Sequence, residues 1–235
     1  LDCTLRDGGY YNNWYFEKDL INEYLRVMDI IKVDYVEIGF RFIDKVKTKG
    51  PTAYSEESFL KSLKIPKGLK IGVMVNAADF INNKNIIDLA KKNFKLRKNS
   101  IISLVRIACH HFEVQEIAPL VEWLKKSGYK VGVNIMQIPE LSTQEIKNVV
   151  LQVKKIKADI LYFADSLGSL NSIKTKKIIK LIKLNWKRDT GIHTHDNMGK
   201  ALENSLEAIN NNVNWIDCTV TGMGRGPGNT KTEYL

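Results

Sequence analysis

Eight apolar or β-branched runs recur along the chain, each separated from the next by enough residues for a helix and its loops. They are Leu1–Leu5, Tyr35–Phe40, Leu69–Asn76, Ile101–Cys109, Tyr129–Met136, Asp159–Ala164, Gly191–His195 and Trp215–Val220. Most spacers carry helical periodicity. Leu20, Ile21, Tyr24, Leu25, Met28 and Ile31 make one face of the first; Ile117, Leu120, Val121 and Leu124 do so in the fourth, and Gly128 follows as a stop. A strand that is followed each time by a helix returns parallel to its predecessor, so the alternation demands a parallel sheet. Eight such units in 235 residues predict an α/β chain folded as a (β/α)8 TIM barrel. The expected organisation is a single TIM-barrel catalytic domain over 1–235. Its eighth helix is truncated at Leu235, and the domain is expected to be the amino-terminal part of a longer protein. A doubly wound open sheet is the alternative, but no Gly-x-Gly-x-x-Gly follows the first run.

The formal charge of +10 raises the question of nucleic acid. The lysines concentrate in amphipathic segments such as Ser172–Arg188, where Ile178, Ile179 and Ile182 fall at helical spacing. That pattern is a solvated lysine face on a packed helix. No zinc-finger spacing appears, so no nucleic-acid partner is expected, and a basic nucleic-acid-binding scaffold is the non-enzymatic alternative. No apolar run reaches the roughly 18–20 residues that span a bilayer, so no membrane partner is expected. Cys3, Cys109 and Cys218 lie far apart in apolar segments, as in a reduced, cytoplasmic protein.

Active sites of such barrels sit at the carboxyl ends of the strands. That rule selects Arg6, Asp7 and Tyr10 after the first run, His110 and His111 after the fourth, Asp165 and Ser166 after the sixth. It also selects His193, His195, Asp196 and Asn197 on and after the seventh, and the glycine-rich segment ending at Asn229 after the eighth. Residues i and i+2 of a strand point to one side, about 7 Å apart. His193 and His195 can therefore converge on one ion, and Asp7 on a nearby strand comes within reach. Two imidazoles and a carboxylate suit Mn, Co, Fe, Zn or, less well, Mg.

With "TLRDGG" after the first run, "HTHDN" on the seventh and "GMGRGPGN" after the eighth, the chain resembles the DRE-TIM metallolyases, the HMGL-like group. That group includes hydroxymethylglutaryl-CoA lyase, 4-hydroxy-2-oxovalerate aldolase, and the isopropylmalate and homocitrate synthases. "LVRIACHH", "ADSLGSL" and "KALENSLEAI" are most similar to the 4-hydroxy-2-oxovalerate aldolase branch. The resemblance implies that Asp7, His193 and His195 are divalent-metal ligands and that Asn229 completes the site in some branches. It implies that Arg6 holds the substrate oxygen on which enolate charge develops, and that Ser166 contacts substrate. The chain departs from the group at three points. Tyr10 stands where the aldolase branch has a catalytic histidine; Gly222–Asn229 holds no cysteine, unlike the CoA lyases; and Arg-Asp-Gly-Gly-Tyr replaces the Arg-Asp-Gly-Glu-Gln of the synthases.

A 2-oxo acid can chelate a divalent ion, which then acts as a Lewis acid toward the enolate left by cleavage. A base must take the proton of the distal hydroxyl, and Tyr10 and His110 are the candidates. A Schiff-base aldolase is the rival mechanism; it needs a buried lysine toward the carboxyl end of a strand, whereas Lys70 and Lys130 lie at amino ends. The expected activity is metal-dependent aldol cleavage of a 4-hydroxy-2-oxo acid or related hydroxy-carbonyl acid. An acyl-CoA-dependent Claisen synthase or hydroxymethylglutaryl-CoA lyase-like activity is the alternative. The expected cofactor is Mn, with Mg, Co or Zn as substitutes. The expected partners are a small oxo-acid substrate, further copies of the chain in a homo-oligomer, and a partner dehydrogenase.

Overall fold

A computed structural model describes residues 1–83 and 85–235. Seven parallel strands form one curled sheet in sequence order: β1 (Tyr35–Phe40), β2 (Lys70–Asn76), β3 (Ile102–Cys109), β4 (Lys130–Ile135), β5 (Ile160–Asp165), β6 (Asp189–Thr194) and β7 (Trp215–Ile216). Around them lie α1 (Thr4–Asn12), α2 (Lys18–Ile30), α3 (Glu57–Lys61), α4 (Ala77–Ile81), α5 (Ile86–Asn93), α6 (Ala118–Lys126), α7 (Thr143–Lys155), α8 (Ser172–Asn185) and α9 (Ala201–Asn210). The alternation read from the sequence is therefore the architecture of a TIM barrel.

The first stave differs from expectation. Only Asp2 of the Leu1–Leu5 run pairs as a strand residue, bridging Val36 on one side and Cys218 on the other. Asp2 N–H donates to Tyr35 O at 2.9 Å and Glu37 N–H to Asp2 O at 2.8 Å. On the other edge Cys3 N–H reaches Cys218 O at 2.9 Å. Three residues thus close the barrel, and the chain turns at once into α1. The buried Asp2 carboxylate accepts both Thr4 N–H, at 2.9 Å, and Thr4 Oγ1–H, at 2.6 Å. A side chain that captures the next free amide competes with the ladder and starts a helix instead. Arg6 and Asp7 accordingly lie in the first turns of a helix rather than in a loop. The eighth run is also shorter than expected, with Trp215–Ile216 as its regular part.

The helices pack by narrow stripes. Ile21, Leu25 and Met28 of α2 are buried, while Leu20 and Ile31, expected on the same face, are exposed. The i, i+4, i+7 set is one stripe, and Leu20 stands about 100° from it. Ile178, Ile179 and Ile182 of α8 face the core while Lys176, Lys177 and Lys180 face solvent. Among the described residues no helix is long and apolar enough to cross a membrane.

Candidate active site

The barrel interior holds a closed ring of charged side chains. Arg6 Nε–H donates to Glu37 Oε1 at 2.7 Å. The other Glu37 oxygen accepts Arg106 Nε–H, and Arg106 Nη1–H reaches Asp217 Oδ2 at 2.6 Å. The same Asp217 oxygen lies 2.9 Å from His193 Nδ1. On its far edge His193 presents Nε2 to Asp7 Oδ2 at 3.5 Å, and Asp7 pairs with Arg6 to close the circuit. All six residues are buried, Arg106 and Glu37 completely.

The sequence reading missed Glu37, Arg106 and Asp217. Their signal was present: each is a charged residue in the middle of an apolar run, "YVEIGF", "ISLVRIAC" and "NWIDCT". A charge at such a position must be paired inside the barrel. Arg106 also stacks its guanidinium 4.5 Å over the buried Tyr162 ring. Gly191 on β6 makes that possible, since a Cβ there would stand 2.3 Å from the Tyr162 ring.

The carboxyl end of β6 adds His195, whose ring centroid is 5.1 Å from that of His193. His195 pairs as a bridge with Asn229, and Asn229 Nδ2–H donates to Asp7 Oδ2 at 2.6 Å. Asp7 therefore touches Arg6, His193 and Asn229, and His195 stands beside His193. Gly9 helps to set this corner: a Cβ there would fall 2.0 Å from the Trp14 ring, whose Nε1–H donates to Arg6 O at 2.9 Å. A glutamate at position 9 would displace Trp14.

Burial would raise the Asp7 carboxyl, but the Arg6 guanidinium and the two imidazoles hold it below its ordinary value. Burial, reinforced by His193, drives His195 down to about 3, so it is neutral with a free lone pair. Burial raises Tyr10, and the opposing Arg6 and Arg225 charges do not reverse it. Its hydroxyl is therefore protonated at rest, unlike a resident base.

Two sets of donors compete as a metal site. Cys3, His193 and Asp217 bring ligand atoms within 4.8 Å of one another. However, Asp217 is already occupied by Arg106 and by His193 Nδ1, and burial pushes the Cys3 thiol up. Asp217 is better placed as the carboxylate that orients a liganding histidine through its other nitrogen. The Asp7, His193 and His195 set fits a divalent ion on three counts. Ligands about 2.1 Å from one ion stand about 3–3.5 Å apart, as Asp7 and His193 Nε2 do. Asn229 Oδ1 is buried without a hydrogen-bond partner, an acceptor that a cation would satisfy. The ring sets three carboxylates, Asp7, Glu37 and Asp217, against two guanidiniums, a balance that favours a further cation.

The remaining expected residues stand apart from this ring. His110 stacks on Phe112 with centroids 5.3 Å apart, and Ser166 Oγ accepts Gln137 N–H at 3.2 Å. Neither makes a side-chain hydrogen bond to the ring among the described residues. His111 packs edge-on against Phe112. Asp165 and Asp196 accept backbone amides, Ser169 N–H at 2.8 Å and Ala201 N–H at 2.8 Å, and serve the turns after their strands.

Residues 69–235 match the HMGL-like family model. The whole chain aligns at 23% identity with oxaloacetate decarboxylase of Mycobacterium tuberculosis, covering 68% of that protein. It aligns at 30% identity with 4-hydroxy-2-oxovalerate aldolase 2 of Rhodococcus jostii, covering 67%. The whole chain also superposes, with a TM-score of 0.83 and 31% identity, on 76% of a solved N-terminal domain from a Bacteroides vulgatus protein assigned as an aldolase.

Proposed function

The chain belongs to the HMGL-like family of metal-dependent lyases and is an enzyme, and from that premise we propose that it cleaves a 4-hydroxy-2-oxo acid, or a related hydroxy-carbonyl acid, to a pyruvate-like enolate and an aldehyde. The observation that carries this reading is Asp7 facing His193, with His195 alongside, next to an arginine with a free donor. Arg6 Nη2 is buried with no hydrogen-bond partner. It is poised to hold the substrate oxygen where negative charge grows.

In this reading Asp7, His193 and His195 hold a divalent ion, with manganese favoured and Asn229 completing the set. When bound, the ion supplies Lewis-acid stabilisation of the enolate. Arg6 adds a fixed cation, oriented in advance by Glu37, at the developing charge. Cleavage breaks the C3–C4 bond; the 4-hydroxyl proton leaves to a base as the electron pair passes to C3. Tyr10 follows Arg6 by one helical turn, on the same face of α1. Holding its own proton, it orients the 4-oxygen by donating to it. His110, after β3, is then the candidate to take the proton. Ser166 is a substrate contact in this reading. The three cysteines are free and buried, which supports a reducing, cytoplasmic setting.

The test is a paired assay with added manganese. One arm follows aldehyde release from 4-hydroxy-2-oxo acids; the other follows free thiol from acetyl-CoA with a 2-oxo acid. Aldehyde release supports the aldolase. Thiol release without aldehyde reverses the assignment to a Claisen synthase. Elemental analysis of wild type and His193→Ala tests the metal: equal contents would sink the ligand set.

A further inference from the structure

The glycine-rich segment Gly222–Asn229 carries a charge that cleavage has not used. Arg225 is exposed, and among the described residues no carboxylate lies within salt-bridge distance of it. Its placement is nevertheless defined. The guanidinium carbon stands 5.1 Å from the centre of the Tyr10 ring. Tyr10 meets Phe40 edge-on at 6.2 Å, and the Arg6 guanidinium lies 5.9 Å from Phe40. These contacts form a continuous path from the charged ring to Arg225 at the mouth.

The backbone that carries Arg225 is pinned to the site. Gly228 N–H donates to Arg225 O at 3.1 Å, Asn229 N–H to Gly222 O at 2.9 Å, and Asp196 N–H to Gly228 O at 2.9 Å. The Tyr11 hydroxyl donates to Gly224 O, and four residues after Arg225 the Asn229 side chain reaches Asp7. The charge of Arg225 is felt by both Tyr10 and His195. Tyr10 also feels Asp7 and Glu37, but those carboxylates are matched within the ring by Arg6 and Arg106. Among the described residues Arg225 has no carboxylate partner, and its charge is free at the mouth.

We propose that Arg225 recognises an anionic group, a carboxylate or a phosphate, at the substrate end remote from the 2-oxo acid. This rests on the aldolase reading above. The 2-oxo acid end is taken by Arg6 and the Asp7–His193–His195 set. Tyr10 is one helical turn farther along α1, opposite the 4-oxygen, and Arg225 lies beyond Tyr10. The preferred substrate then releases an aldehyde that keeps its anionic tail. The tail takes no part in breaking C3–C4; a planar guanidinium holds it by charge-assisted hydrogen bonds.

The test uses manganese-loaded full chain and calorimetric binding of two uncleavable ligands of equal length, 2-oxohexanoate and 2-oxoadipate, with a third chain that ends in a phosphate monoester. Wild type should bind 2-oxoadipate about tenfold more tightly than 2-oxohexanoate, the low end for a charge-assisted hydrogen bond near solvent. The ratio should fall to near one in Arg225→Gln and recover in part in Arg225→Lys. Tighter binding of the phosphate chain than of 2-oxoadipate would identify phosphate as the group recognised; the reverse order would identify carboxylate. Equal binding of the charged and uncharged tails by wild type, a ratio unchanged in Arg225→Gln, or no binding of any of the three would overturn the proposal. The corresponding 4-hydroxy compounds separate the two readings. Tail preference without cleavage sinks the aldolase and leaves Arg225 standing as an anion contact; cleavage indifferent to the tail does the opposite.

Discussion

Lys130 opens β4 and reaches Asp189 at 3.3 Å, at the start of β6; Lys125 pairs with Asp159 just before β5. In the barrel interior, Arg6, Glu37, Arg106, Asp217, His193 and Asp7 close their ring. Rim and interior both join acids to bases, but the pairs differ in kind. Lys130 and Asp189 are 36% and 40% exposed, whereas Arg106 and Glu37 are wholly buried. Water screens the first set, so its loss is nearly free. The second set has shed its water, and its guanidiniums and carboxylates depend on one another for compensation. A surface pair is an addition to the fold; a buried ring is a condition of it. That is why the ring, and not the rim, can hold donors in fixed orientation for chemistry.

The contrast can be broken at its strongest point first. Arg106→Met leaves Glu37 and Asp217 buried without their shared partner. It should cost about 3–5 kcal/mol, seen as a lower midpoint in denaturant. A midpoint at the wild-type value would show that water reaches the ring. Arg6→Ala should lower turnover about 10²–10³-fold, or roughly 3–4 kcal/mol, while bound metal is retained, because the contact strengthens only as enolate charge develops. Steady-state kinetics beside elemental analysis would separate the two effects.

Acid sharpens the same comparison. Burial holds His195 down at about 3 against an ordinary 6.5, so between those values the unfolded chain binds a proton that the folded chain refuses. Stability of the metal-free protein should therefore rise with pH across that window and fall as pH drops toward 3. Asp7 and Asp217 are held low as well, so their ionised contributions are lost at still lower pH, with the same sign. A flat thermal midpoint from pH 6.5 to 4 would mean that His195 is hydrated. Asp217→Asn keeps the shape of the side chain but weakens its hold on His193 Nδ1. Metal affinity, read by chelator competition, should drop about 10–100-fold. At the rim, Lys130→Ala should move stability by less than about 1 kcal/mol, and salt should erase the difference.

The strands from Tyr35 onward were readable to within a few residues, because a run of β-branched and apolar side chains reports its own burial. Leu1–Leu5 misled for a definite reason. Its apolar pattern is strand-like, but Asp2 hands its carboxylate to Thr4 and begins a helix. The His193 and His195 pair was legible from spacing alone. Glu37, Arg106 and Asp217 were legible as anomalies in apolar runs, but not as partners of one another. Nothing local tells residue 37 that it will meet residue 106 at a guanidinium and residue 6 at another.

Periodicity along the chain sufficed for the barrel class and for the end at which the chemistry sits, since both follow from the order of strands and helices. Which carboxylate meets His193 at Nδ1 and which at Nε2 was decided only by closure of the barrel. Asp2 stitches the first residues between Val36 and Cys218, and that closure brings Asp7 to His193 Nε2 and leaves Asp217 at its Nδ1. A side chain's type is written at its own position; its desolvation and its neighbours come from segments as far as 222 residues away, and these set its charge and its role.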